Sequence, residues 1–214
     1  MIDANGHGVV PEINTFFTPG AEVPSDWQPP VPAVVPFETF QKIPRWKRDI
    51  VITEKIDGSN AQVYIPEDGG PLLFGSRNRW VTPEADNAGF ARWGHANEEA
   101  LRRLGYGRHY GEWWGQGIQR TYGLKEKRFT LFNTGRWKDG LPEGLPANVG
   151  VVPVLYQGPN SETAIELALE DLRVNGSKAA LGFMRPEGIV IFHAASRHLY
   201  KRTLEDDEKP KGQE

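Results

Sequence analysis

Cysteine is absent from all 214 residues. That single absence excludes disulfide frameworks, thiolate zinc fingers, iron–sulfur clusters and thiol nucleophiles. It also fits a reducing compartment, and the expected location is the cytoplasm. Long apolar runs are missing too. No stretch approaches the roughly 18–20 residues that cross a bilayer, and Met1 to Pro11 lacks the basic start and apolar core of a signal peptide. A strong excess of one charge is also lacking, since 25 Lys and Arg stand against 28 Asp and Glu, a net charge of −3. Part of the acid sits in Glu205-Asp206-Asp207-Glu208, which leaves the rest near neutral. Arg45 to Arg48 and Arg120 to Arg128 are therefore candidates for a basic groove as well as for ordinary solvated surface. His7, His95, His109, His193 and His198 are scattered without the spacing of a metal site and are read as non-catalytic.

What is present fits one domain with extended ends. Pro19, Pro24, Pro29, Pro30, Pro32 and Pro36 make residues 1–36 an extended lead-in, because proline breaks helix and central strand alike. Residues 205–214 form an acidic tail expected to be disordered. Between them lie β-prone runs at Asp49 to Glu54, Asn60 to Ile65, Leu72 to Ser76, His109 to Trp114, Phe129 to Asn133, Val151 to Tyr156, Gly188 to His193 and His198 to Thr203. Phe90, Trp93, Ala96, Ala100 and Leu104 recur at helical spacing, and Ile165, Ala168, Leu169 and Leu172 do so again. The second helix is expected to carry a Thr163/Glu166 capping box and to close at Gly176. The expected class is α+β, antiparallel sheets flanked by helices.

The chemistry concentrates in Glu54-Lys55-Ile56-Asp57-Gly58-Ser59-Asn60, where a lysine stands between two strand-like runs. A lysine nucleophile must lose a proton against a free pKa of about 10.4, which a desolvated pocket or nearby cations assist. Gly58 lets backbone approach closely. By themselves these seven residues also fit an ordinary Asp-Gly hairpin turn.

Lys55-Ile56-Asp57-Gly58 resembles the Lys-x-Asp-Gly nucleophile motif of the DNA ligase, RNA ligase and mRNA-capping superfamily. Its other motifs have counterparts in the same order. Gly75-Ser76-Arg77-Asn78 resembles the Ser-Arg element after the nucleophile strand, and Tyr110-Gly111-Glu112-Trp113-Trp114 resembles motif III. Phe129-Thr130-Leu131-Phe132-Asn133 resembles motif IIIa, Pro186-Glu187-Gly188-Ile189-Val190-Ile191 motif IV, and Leu199-Tyr200-Lys201 the start of motif V. Glu54 to Asn60 together with Gly111 to Gln119 look most like RNA ligases of the second T-even phage type and their short bacterial and phage relatives. The resemblance implies a ligase-type, ATP-grasp-like nucleotidyltransferase domain over residues 37–204. The oligonucleotide-fold domain that follows motif V in DNA ligases is expected to be missing, because Glu214 comes soon after Lys201.

By the same resemblance, Lys55 attacks the α-phosphate of ATP, AMP passes to a 5′-phosphate end, and a 3′-hydroxyl closes the RNA strand. Lys201 contacts the α-phosphate, Glu187 holds magnesium or, in its place, manganese, and Glu112 binds the ribose hydroxyls. Phe132 stacks on adenine, with Phe129 as competing candidate. Arg77 and Asn60 act on the 5′-phosphate end, Asp57 and Gly58 shape the nucleophile loop, and Glu54 contacts adenine through its backbone or places the loop. One departure is plain. Motif V usually reads Lys-x-Lys, whereas here Lys201-Arg202-Thr203 stands, with Arg202 on the opposite strand face. RNA ends, free or in a nicked duplex, are the expected partners, with no membrane and the protein partner open. The alternatives are a minimal DNA ligase sealing nicks and a non-catalytic module that binds RNA ends or nucleotides.

Overall fold

The computed structural model describes residues 25–26, 38–205 and 207, so most of the expected lead-in and tail lies outside the described residues. The chain forms two compact units, residues 1–43 and 44–214. In the first, Ser25 and Asp26 lie in a turn, and residues 38–43 are exposed without regular structure. The second holds every helix and strand of the described residues. None of those helices is long and apolar enough to cross a membrane.

Ten strands form two sheets. The larger has the order β4 (Trp80–Val81), β3 (Leu73–Gly75), β2 (Ser59–Ile65), β5 (Gly107–Gly115), β6 (Lys127–Leu131), β7 (Val149–Val151). The smaller has the order β10 (His198–Thr203), β9 (Gly188–His193), β1 (Asp49–Lys55), β8 (Val154–Pro159). With few helices beside them, the class is α+β, as expected. All pairings are antiparallel except β6 with β7.

Alternation decides which side chains are buried. Ala61, Val63 and Ile65 of β2 join Trp113, Phe129 and Leu131 in a core under α1 (Phe90–Ala96) and α2 (Glu98–Leu101). On the smaller sheet, Ile50, Ile52, Ile189 and Ile191 pack against Ile165, Leu169 and Leu172 of α3 (Glu162–Asn175). A third cluster gathers Ile56, Trp114, Tyr122, Val152 and Ala180, with Trp114 on the sheet face opposite Trp113.

Three local expectations need correction. The first helical face is interrupted at Asn97, whose side-chain amide donates to the Trp93 carbonyl (2.7 Å). The backbone leaves helical geometry there (φ −122°) and resumes as α2 and a 3-10 turn, Arg102–Leu104. The run Val151 to Tyr156 is two strands in two sheets. Pro153 sits at the crossing, without an N–H to continue a ladder, and its carbonyl accepts from Glu54 N (3.0 Å). Helix α3 is capped by Ser161, whose Oγ accepts from Ala164 N (3.4 Å), so Thr163 lies inside the helix. Glu166 serves Arg202 instead, while Gly176 ends the helix as expected.

Candidate active site

Strand β1 delivers Lys55 at its last position, opposite Gly188 of β9, and Gly188 in turn stands opposite Thr203 of β10. Directly paired residues share a sheet face. Thr53, Val190 and Lys201 form the neighbouring row on the same face, two residues away along each strand. Lys55 and Lys201 therefore lie on one surface of the smaller sheet. Lys201 is exposed and makes no ion pair among the described residues. Lys55 Nζ donates to Glu187 Oε2 at 2.6 Å, with the two side chains 19% and 7% exposed. Gly188 cannot carry a Cβ here, because one would lie 2.2 Å from the Arg202 carbonyl, and its φ is +153°. That tight approach lets Glu187 enter the cleft directly beside Lys55.

Across the cleft, β2 and β5 carry Asn60 and Glu112 as a paired row. Glu112 is buried and accepts from Gly58 N (3.1 Å) and Asn60 Nδ2 (3.3 Å). Burial pushes its pKa up to about 7; Lys55 opposes the rise and Glu187 adds to it. Arg77 Nε donates to Asn60 Oδ1 (2.7 Å), which extends the chain of contacts from Gly58 through Glu112 and Asn60 to Arg77. The close approach expected of Gly58 is to strand β5, since a Cβ there would lie 2.6 Å from the Trp113 carbonyl. The loop after Lys55 is thus clamped onto the larger sheet.

Phe132 and Phe129 separate cleanly. Phe129 is fully buried, with ring centroids 5.2 Å from Phe90 and 5.9 Å from Trp93. Phe132 is 41% exposed and lines a cleft of about 160 Å³ with Asn60, Arg77 and Tyr110.

Glu54 does not face the cleft. Strand alternation turns it to the opposite side of the sheet from Lys55, where it is 1% exposed. Its carboxylate accepts from Ser177 Oγ (2.6 Å), Lys178 N (2.7 Å) and Ala179 N (2.9 Å). Burial raises its pKa in spite of those donors. The contacts tie β1, one residue before Lys55, to the turn that leads into the buried Ala180. Ser177→Ala would remove one donor and orphan the buried Ala180 N–H, which now donates to Ser177 Oγ (2.9 Å). The expected cost is about 2 kcal/mol, read as a lowered urea midpoint with an unchanged slope.

Asp57 is held by residues that the motif reading did not single out. Its backbone N–H donates to the Tyr122 hydroxyl (2.8 Å), and its carboxylate accepts from Arg120 Nε (3.0 Å). Arg120 also donates to the Arg185 carbonyl (3.1 Å), two residues before Glu187. This bracket stands on a strained segment, in which Gln119, Thr121 and Tyr122 all have positive φ. Arg202 points away from the cleft, as the alternation requires, and pairs with Glu162 and Glu166 of α3.

A nucleotide triphosphate and a metal fit the donor set in one arrangement. Two lysines on one face offer cations to phosphate oxygens, and Glu187 is a hard oxygen donor beside them. Among the described residues no group of three His, Asp or Glu side chains could hold a metal by itself. A cation at Glu187 would complete its shell with phosphate and water oxygens, as magnesium commonly does.

Comparison with known proteins gives a family and a fold. The family model described as RNA ligase matches residues 48–204. The fold is similar to solved structures of Naegleria gruberi RNA ligase. One, with ATP and Mn, gives a TM-score of 0.52 at 21% identity and covers 75% of this chain and 51% of that one. Another, with AMP and Mn, gives 0.51 at 22% identity and covers 74% and 50%. This chain thus spans about half the length of those relatives. No curated protein matches it. The family model spans residues 48–204, well over half of the sequence, and this chain belongs to the RNA ligase family.

Proposed function

We propose that the chain is an ATP-dependent RNA ligase that forms lysyl-AMP at Lys55, passes AMP to a 5′-phosphate end and joins that end to a 3′-hydroxyl. The observation that carries the reading is the 2.6 Å contact between Lys55 Nζ and Glu187 Oε2 in a cleft that also presents Lys201 and Glu112. The Naegleria complexes hold ATP or AMP with Mn, which supports ATP and a divalent ion as the ligands here.

In the first step the Lys55 amine, its extra proton lost to solvent, forms an N–P bond to the α-phosphorus; pyrophosphate leaves with the electrons of the broken P–O bond, and the nitrogen releases one further proton to solvent. Glu187 favours the protonated amine while it is paired with Lys55. Glu187 would hold a divalent ion, which would compete with Lys55 for the carboxylate and supply positive charge beside the phosphate oxygens. Lys201 projects from the same sheet face to meet charge developing on the α-phosphate. Glu112 meets the ribose hydroxyls, and its pKa of about 7 lets it act as acceptor when ionised. Phe132 offers an exposed ring for adenine, and residues 37–204 make up the nucleotidyltransferase domain. In the later steps Asn60 and Arg77, linked at the far end of the contact chain, position the adenylylated 5′ end.

Incubation with α-labelled ATP and magnesium followed by denaturing electrophoresis tests the first step. A labelled protein band is expected, and absence of label with every nucleotide tried would falsify the enzyme reading. Sealing assays with RNA and all-DNA 3′-hydroxyl strands test the substrate, and RNA is expected to be preferred. Asn60→Ala or Arg77→Ala should lower sealing about a hundredfold while the lysyl-AMP yield falls far less. Equal loss of both steps would remove these residues from the later chemistry.

A further inference from the structure

On the cleft face of the larger sheet the site does not stop at Asn60 and Glu112. The next row pairs Gly75, Gln62 and Tyr110, and Trp80 stands opposite Gly75. The row beyond pairs Leu73, Tyr64 and Arg108. All of these side chains share the face of Asn60 and Glu112 by alternation. Trp80 is 43% exposed and Tyr110 53%, high values for large rings at sheet positions. The Arg108 guanidinium lies over both the Tyr64 ring (5.1 Å) and the Trp80 ring (5.2 Å), and its Nη1 donates to Gln62 Oε1 (2.9 Å). A flat cation is thereby fixed between two aromatic rings on an open surface.

The charge of this surface is uncommitted. Arg77 bonds to Asn60, Arg79 to the Trp80 and Ala85 carbonyls, and Arg108 to Gln62. None of the three is paired with a carboxylate among the described residues. Elsewhere Arg92, Arg120, Arg128, Arg173 and Arg202 are each paired with one, whereas Arg102 and Arg136 bond to backbone carbonyls. The surface ends at the β2–β3 hairpin, where Glu67 and Asp68 are exposed.

We propose that Trp80, Arg108, Tyr64 and Tyr110 form a stacking platform for unpaired nucleotides of the RNA strand whose end lies at Asn60 and Arg77. This rests on the ligase reading for the site itself and adds the part of the substrate that is gripped. Three features select that occupant. The exposed rings of Trp80 and Tyr110 accept any base on its π-face, guanidiniums without a carboxylate partner accept phosphates, and the surface is continuous with the cleft lined by Asn60, Arg77 and Phe132. A paired strand keeps its bases stacked within the helix and leaves these rings without a partner.

The test is fluorescence anisotropy with a labelled 5′-phosphorylated single-stranded RNA and the same strand in a blunt duplex, without ATP. The wild type is expected to bind the single strand more tightly. Trp80→Ala and Arg108→Ala should each weaken that binding about tenfold, with duplex binding changed much less. Trp80→Phe, which keeps an aromatic face, should stay close to wild type. Single-strand binding unaltered in both alanine variants, or equal losses for single strand and duplex, would overturn the platform. Lysyl-AMP formation by the wild type is measured separately. Its absence would remove the ligase reading, whereas the binding comparison alone decides the platform.

Discussion

Lys55→Ala is expected to abolish labelling of the protein by α-labelled ATP, and Lys55→Arg to do the same. The two substitutions fail for different reasons, and together they separate chemistry from folding. Alanine removes the Lys55 amine and with it the 2.6 Å contact to Glu187, whose side chain is 7% exposed. Loss of label in that variant alone could therefore reflect a disturbed cleft. Arginine retains a cation that can reach Glu187, so the ion pair and the local fold are preserved. Its guanidinium holds its proton at any working pH and has no free lone pair for phosphorus. A folded Lys55→Arg protein, with a melting temperature near wild type and no label, assigns the covalent bond to the Lys55 amine. Label retained in the arginine variant would move the nucleophile to another residue, with Lys201 the first to examine, since it lies on the same face.

Much of this site was legible in the chain because its motifs sit on strands with short-range rules. Ala61, Val63 and Ile65 alternate with polar neighbours, which located β2 and placed Asn60 at its cleft end. The same alternation predicts that Glu54 and Lys55 face opposite sides of β1. Glu54 indeed turns its carboxylate into the Ser177–Ala179 turn, whereas a motif reads the two as adjacent letters of one signature. What the sequence hid depends on distant partners or on backbone strain. Tyr122 and Arg120 brace Asp57 from more than sixty residues away, through a segment whose positive φ values fall on Gln119, Thr121 and Tyr122, residue types that announce no such conformation. Asn97 fits a continuous helical face by spacing, and only its side-chain bond to the Trp93 carbonyl shows why the helix breaks. Pro153 was the one local warning that Val151 to Tyr156 serves two sheets.

Glu112 links the site to stability through pH. Its pKa in the folded protein is raised from 4.5 to about 7. Between those values the folded state binds a proton that the unfolded state has released, so stability falls as pH rises. The contribution is fully present below about pH 4.5 and is lost as pH passes 7. A shift of this size corresponds to about 3 kcal/mol. Other groups titrate in the same window, so the informative quantity is the difference between wild type and Glu112→Gln. Gly58 N and Asn60 Nδ2 reach different carboxylate oxygens, so glutamine, with one acceptor oxygen, keeps one of the two bonds and loses the other as a pH-independent offset, and it has no proton to release. The variant should gain about 3 kcal/mol relative to wild type between pH 4.5 and 8, read from urea unfolding at each pH. A difference that stays flat with pH would mean that Glu112 is ionised throughout, held so by Lys55 across the cleft. The carboxylate would then be ready to accept hydrogen bonds from ribose hydroxyls throughout that pH range.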